Sequence, residues 1–251
     1  MLKIRDTAIG EGIPKICVSV MGSDMQSLRL EALKLYDHSY DIVEWRMDYF
    51  GDVSSESEVM NALRLLRSLL GDIPLIATFR TKAEGGVREL KDGEYAEILR
   101  WVIKSGLADI VDIELFSGDE NVSELIKLAE DNGVFTILSS HDFEKTPSCD
   151  EMLFRLRKMD DLGCSMAKLA VMPRSKRDVV SLLSATEEAS RNLKCPVITM
   201  SMGAMGSVSR LCGEAFGSCL TFGCIGKPSA PGQVDTEELT EGLRIMHDAL
   251  N

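Results

Sequence analysis

The sequence predicts an α/β protein, a single eight-stranded βα (TIM) barrel spanning residues 1–251, and three observations predict it. Short apolar or β-branched runs recur roughly every 25 to 35 residues, each followed by a helical pattern, as βα units repeated around a parallel sheet require. The runs number eight. A length of 251 residues is typical of one closed barrel, and no linker rich in Pro, Gly or Ser and no charge block divides the chain. An open doubly wound sheet is the second choice, weakened because no Gly-rich phosphate turn follows the first strand.

In chain order, the first dozen residues precede the barrel and are expected at most to form a short hairpin that plugs its N-terminal end. Strands are expected at residues 16–21, 42–47, 74–80, 109–115, 134–140, 165–171, 196–202 and 219–225. The segments between them place apolar residues at three- and four-residue spacing, as in Leu63, Leu66, Leu69 and Leu70, or Leu125, Leu128 and Ala129. Gly133 marks the end of the fourth helix, and Asp235 with Glu238 reads as a capping box opening the last.

Composition narrows the function classes. Hydrophobic residues at 45% and charged residues at 27% suit a globular protein with a sizeable core. No signal-peptide core and no apolar stretch of about 18 residues occurs, so a soluble, cytoplasmic protein without a membrane partner is expected. The net charge of −12 argues against nucleic acid or an anionic membrane surface as partner. Seven cysteines without a CxxC pair read as buried reduced thiols. They do not combine with His38, His141 and His247 at metal-ligand spacing, so no metal is expected.

Both faces of a parallel barrel strand should be apolar, yet here one face is not. Along residues 42–48 the period of two puts Val43, Trp45 and Met47 on one side and Glu44, Arg46 and Asp48 on the other. Thr78 and Arg80 lie opposite Ala77 and Phe79, and Asp112 and Glu114 opposite Val111 and Ile113. Ser139 shares a face with His141, and Met166 with Lys168. Polar groups thus gather late in successive strands, at the C-terminal mouth where barrel enzymes place their chemistry. Burying so many charges gains nothing structurally unless a polar ligand fills the space, which favours an active site over a structural network.

Lys168 is the lone charge in the apolar run Ser165 to Met172. Its stem could pack while its ammonium snorkels to water. Alternatively burial, aided by the positive charges of Arg46, Arg80 and Arg210, disfavours the ammonium and leaves an amine able to attack a carbonyl. His141, ending the fifth strand, is either a cap or a proton carrier, and Glu84, in the loop with Gly85 and Gly86, would orient it if within reach. Beyond Met200 and Met202, Arg210 could grip a carboxylate. The last loop, residues 226–233, carries Ser229 and Gln233 among breakers and reads as a lid.

These motifs together resemble the type I 3-dehydroquinate dehydratase family nearly end to end. The likeness rests on Val-Glu-Trp-Arg-Met-Asp at 43–48, Thr-Phe-Arg-Thr-Lys-Ala-Glu-Gly-Gly at 78–86, Ser-His-Asp-Phe at 140–143 and Ala-Lys-Leu-Ala-Val-Met-Pro at 167–173. Met-Ser-Met at 200–202, Ser209-Arg210 and Ser-Ala-Pro-Gly-Gln at 229–233 complete it. The resemblance implies that Lys168 forms an imine with the substrate's ring ketone, that His141 is the general acid and base, and that Glu84 orients His141. It further implies that Arg210, Ser229 and Gln233 hold the substrate carboxylate, that Glu44, Arg46 and Arg80 bind its hydroxyls, and that Ser19, Met200, Met202 and Phe222 line the pocket. No metal or organic cofactor is implied, and the protein is expected to be a homodimer.

A Schiff-base aldolase on a similar barrel would share Lys168, but would need a phosphate site in the loops after the seventh and eighth strands. A non-catalytic barrel that binds a small acid is the other alternative; it would have no use for Lys168 together with His141 and Glu84.

Overall fold

A computed structural model describes residues 1–251 except Asp92 and Lys227. The chain opens on the antiparallel hairpin β1 (Leu2–Ile4) and β2 (Thr7–Ile9). The barrel strands follow: β3 (Lys15–Val20), β4 (Ile42–Arg46), β5 (Leu75–Thr78), β6 (Ile110–Glu114), β7 (Phe135–Asp142), β8 (Met166–Val171), β9 (Val197–Ser201) and β10 (Leu220–Cys224). They pair in parallel in the order β10-β3-β4-β5-β6-β7-β8-β9. The ring closes between β9 and β10 through a bridge from Val197 to Ser218, where the Cys219 amide donates to the Val197 carbonyl at 2.9 Å. Each predicted run overlaps one barrel strand, with β3 starting one residue earlier and β7 ending two residues later than expected, so the eight-stranded βα barrel stands. A two-residue strand, β11 (Val234–Asp235), pairs in parallel with the end of β10.

The helices that cover the sheet are α1 (Met25–Lys34), α2 (Glu56–Leu70), α3 (Glu94–Ser105), α4 (Asp119–Asp131), α5 (Cys149–Asp161) and α6 (Lys176–Asn192). After the short α7 (Val208–Leu211) and α8 (Gly213–Phe216), α9 (Thr236–Leu250) completes the coat. Asp235 does cap α9, but its carboxylate accepts from the Glu237 amide at 3.0 Å, and the reciprocal bond from Glu238 is not made.

Two apolar layers result. The outward residues Val43, Trp45, Met47, Ala77, Phe79, Val111 and Ile113 pack under Leu63, Leu66, Leu99, Val102 and Leu125 of the helices. Each such fully buried leucine stabilises the fold by roughly 1.5–3 kcal/mol. The inward layer, Ile42, Ile76, Ile110, Ile137, Met166, Ile198 and Leu220, fills the lower barrel. Ile4 and Ile9 join that layer, so the hairpin seals the N-terminal end as expected. Arg5 ties it down through Asp109 at 2.7 Å and Asp72 at 2.9 Å. With its lower half packed, the barrel can be open to a ligand only from the C-terminal mouth.

Candidate active site

Above the isoleucine layer the inward positions turn polar, as the alternation predicts. The mouth holds a cavity of about 180 Å³ lined by Glu44, Arg46, Arg80, Glu84, His141, Lys168, Met200, Met202, Arg210, Phe222, Ser229 and Gln233. Every predicted site residue except Ser19 is on that wall. Ser19 stands just behind it, donating to Glu44 Oε2 at 2.6 Å with its oxygen 3.0 Å from that of Ser229. Gly85, Phe143, Ala170, Ala230 and Pro231 also line the cavity and were not expected there. Phe143 lies two residues beyond His141, in step with the same period of two but just past the end of β7.

Lys168 is buried, which rules out snorkelling. Its Nζ lies 3.1 Å from Asp112 Oδ2, 3.7 Å from Glu44 Oε1 and 4.5 Å from the centre of the Phe222 ring. The charges in direct contact with the amine are therefore carboxylates, while the three expected arginines share its cavity. Those arginines are mostly engaged elsewhere. Arg46 grips Asp48 with Nε and Nη2, both at 2.8 Å, which leaves Nη1 without a protein acceptor among the described residues. Arg80 donates to Glu114 at 2.9 Å, Ser139 at 3.0 Å and Asp112 at 2.8 Å. Burial works against its charge, but Asp112, Glu114 and Glu84 outweigh it and hold the guanidinium firmly ionised.

Glu84 is brought to His141 by a tight turn. The 3-10 segment Lys82–Glu84 ends on Gly85 at φ +88°, a left-handed conformation that glycine adopts without steric cost, and a Cβ on Gly86 would overlap the Arg80 carbonyl. Glu84 Oε2 then lies 2.9 Å from His141 Nδ1 and 3.1 Å from the His141 amide nitrogen. When Glu84 is ionised that oxygen can only accept, so Nδ1 is then the donor of the second bond, which leaves the Nε2 lone pair as the basic position. Burial first, then the charges of Arg80 and Lys168, hold the His141 imidazole well below its ordinary protonation range. Burial also pushes the Glu84 carboxyl up to about 8, against the pull of Arg80 at 3.5 Å.

Arg210 differs from the other arginines. It is 1% exposed and has no carboxylate partner among the described residues. Nη1 donates to the Phe222 carbonyl at 3.2 Å, Nη2 to the Pro231 carbonyl at 3.3 Å, and Nε is unsatisfied. Burial pulls its pKa down to about 10. A buried cation with neutral partners costs free energy that an anionic ligand would return. Ser229 and Gln233 close over this corner: Gln233 Nε2 donates to Ser229 Oγ at 2.9 Å and the Ser229 amide donates to Gln233 Oε1 at 2.7 Å. The Gly203 amide holds the loop by the Pro231 carbonyl at 3.0 Å, and a side chain on Gly232 would strike Gly203. Lys227, part of the loop predicted as a lid, lies outside the described residues.

The family model of type I 3-dehydroquinase matches residues 16–249. The chain belongs to the type I 3-dehydroquinase family. It is 45% identical to the 3-dehydroquinate dehydratase of Salmonella typhimurium over 247 residues, covering 98% of each chain. The solved type I 3-dehydroquinate dehydratase of Clostridium difficile is 43% identical with a TM-score of 0.96, over 99% of this chain and 98% of that one. The 3-dehydroquinate dehydratase of Geobacillus kaustophilus is 35% identical with a TM-score of 0.97, over 100% of this chain and 97% of that one. Membership in the type I 3-dehydroquinases sets aside the Schiff-base aldolase as a reading of Lys168.

Proposed function

We propose that the chain is a 3-dehydroquinate dehydratase, converting 3-dehydroquinate to 3-dehydroshikimate through an imine on Lys168. The observation that carries this reading is that one cavity gathers the buried Lys168 amine, the His141 ring oriented by Glu84, and the unpaired Arg210 guanidinium. In this reading the substrate carboxylate docks on Arg210, Ser229 and Gln233. Glu44, Arg46 and Arg80 meet the ring hydroxyls, Arg46 through its uncommitted Nη1. Met200, Met202 and Phe222 pack on the ring, and Ser19 holds Glu44 and Ser229 in place.

Lys168 attacks the ring ketone and loses water to give an iminium, a far better electron sink than the ketone. The adjacent carbon becomes acidic enough for a neutral imidazole to take its proton at Nε2, and His141 is held neutral by burial. The imidazolium, stabilised by Glu84, then protonates the departing hydroxyl. Elimination gives the conjugated iminium, whose hydrolysis releases product and restores Lys168. No metal or organic cofactor enters the scheme.

The same reading makes residues 1–251 one catalytic domain of a cytoplasmic homodimer, acting in the shikimate pathway to chorismate with neither nucleic acid nor membrane as partner. No helix among the described residues is long and apolar enough to cross a membrane. The direct test is borohydride reduction during turnover of 3-dehydroquinate, followed by peptide mass mapping. An adduct on the peptide holding Lys168 is expected; its absence from an active enzyme would sink the imine mechanism.

A further inference from the structure

Asp112 has no part in the scheme above, yet it is the group closest to the reacting amine. Its carboxylate is 0% exposed and takes three donors. Oδ1 accepts from Arg80 Nη2 at 2.8 Å and from Ser139 Oγ at 2.6 Å, while Oδ2 accepts from Lys168 Nζ at 3.1 Å. The reach depends on what lies between. Asp112 is on β6 and Lys168 on β8, and the β7 residue opposite Lys168 is Ser139. A serine is small enough to let the two side chains meet across it. It also locks the carboxylate, donating to Asp112 while accepting from Arg80 Nη1 at 3.0 Å. Glu44 is the only other carboxylate at the amine among the described residues. It sits farther off at 3.7 Å, with its two oxygens already accepting from Thr78 at 2.9 Å and Ser19 at 2.6 Å.

We infer that Asp112 is a positioning residue for the Lys168 amine and the counter-charge for the iminium that Lys168 forms. The inference rests on the dehydratase reading of the site. A free amine has several hydrogens and can swing; an iminium nitrogen keeps one. When that hydrogen points at Asp112 Oδ2, the C=N bond must point away from that carboxylate, into the cavity that Phe222 and His141 line. Asp112 thereby fixes which way the ring hangs from Lys168, and it does so without moving, because Arg80 and Ser139 hold its other oxygen. Burial opposes its charge, but Arg80 first and then Lys168 keep the carboxyl well below the usual carboxylate range. A carboxylate so strongly ionised is a poor base and a good fixed anion, worth most at the step where positive charge becomes permanent on nitrogen.

The test compares Asp112→Asn and Asp112→Glu with the wild-type enzyme by turnover of 3-dehydroquinate and by the rate and plateau of borohydride trapping on Lys168 against pH. Besides Asp112, the charged and titratable groups around Lys168 are Glu44, Arg46, Arg80, Glu84, His141 and Arg210 of the cavity wall and the buried Cys17 of β3, and all are retained. Asp112→Asn should lower kcat roughly 100-fold with KM changed less than about 3-fold, and lower the trapped plateau. It should also move the acid limb of trapping to lower pH, since an ammonium that loses its anion gives up its proton more readily. Asp112→Glu should bring the limb back. Should Asp112→Asn fail to fold, Ser139→Ala carries the test, with a fall in kcat of roughly 10-fold at unchanged KM and an unmoved limb. Wild-type trapping together with normal kcat in Asp112→Asn, or in Ser139→Ala when it stands in, would overturn this inference alone; no wild-type trapping would overturn the dehydratase reading and this inference with it.

Discussion

One oxygen of Glu84 accepts two protons from a single residue, the ring Nδ1 and the backbone amide of His141, at 2.9 and 3.1 Å. The double grip fixes both where the ring sits and which nitrogen is basic. Replacing Glu84 with Gln keeps an acceptor but removes the charge that steadies the imidazolium. A fall in kcat of about 10- to 100-fold with KM within about 3-fold is expected. Steady-state kinetics showing only a raised KM would refute the orienting role.

His141→Ala removes the proton carrier while leaving Lys168 in place. Turnover should drop by roughly 10²–10⁴. The imine should still form, so borohydride treatment should label Lys168 even as product release stalls. Unchanged turnover would take His141 out of the scheme.

Lys168→Met should abolish turnover, whereas the carboxylate corner at Arg210 stays intact. Calorimetric titration should therefore detect 3-dehydroquinate binding to an inactive protein. Residual activity within about tenfold of wild type would rule out the nucleophile.

Arg210 pulls stability and function in opposite directions. Its folded-state pKa is lowered to about 10, so the charge is disfavoured by the fold throughout the neutral range, and the deficit disappears only as pH rises past that value. Arg210→Met should raise the melting temperature of the free enzyme by a few degrees and weaken 3-dehydroquinate binding at least tenfold. In wild type the ligand should raise the melting temperature, and in the variant it should not. A variant that melts lower and binds normally would contradict both statements.

The His141 ring, held well below its ordinary value of 6.5 by burial, sets the acid side of the pH profile. The acid limb of kcat/KM should lie below pH 6.5. Stability follows the same sign: as pH falls below the unfolded value, the unfolded chain binds a proton that the fold refuses, so the fold loses stability there. In His141→Ala that share of the acid destabilisation should vanish from pH-dependent melts.

What the sequence by itself determined is what repeats locally along the backbone. A period of two placed Glu44, Arg46, Thr78, Arg80, Asp112, Glu114, Ser139, His141 and Lys168 on one face of their strands, and βα spacing counted the barrel. Their partners were not legible. Asp112 reaches Lys168 only because β7 presents Ser139 between them, and His141 meets Glu84 across 57 residues through a turn that Gly85 and Gly86 permit. The arginines do share the cavity of Lys168, but the anions that neutralise them were not legible for the same reason. Arg46 and Arg80 were absorbed by Asp48, Asp112 and Glu114, and Arg210 alone of the three was left without an anion among the described residues. Which face a side chain takes follows from its own strand, whereas which charge it meets depends on the register of neighbouring strands and the paths of distant loops. Only the closed barrel sets those distances, and over a few ångströms in a dry site the distances decide the chemistry.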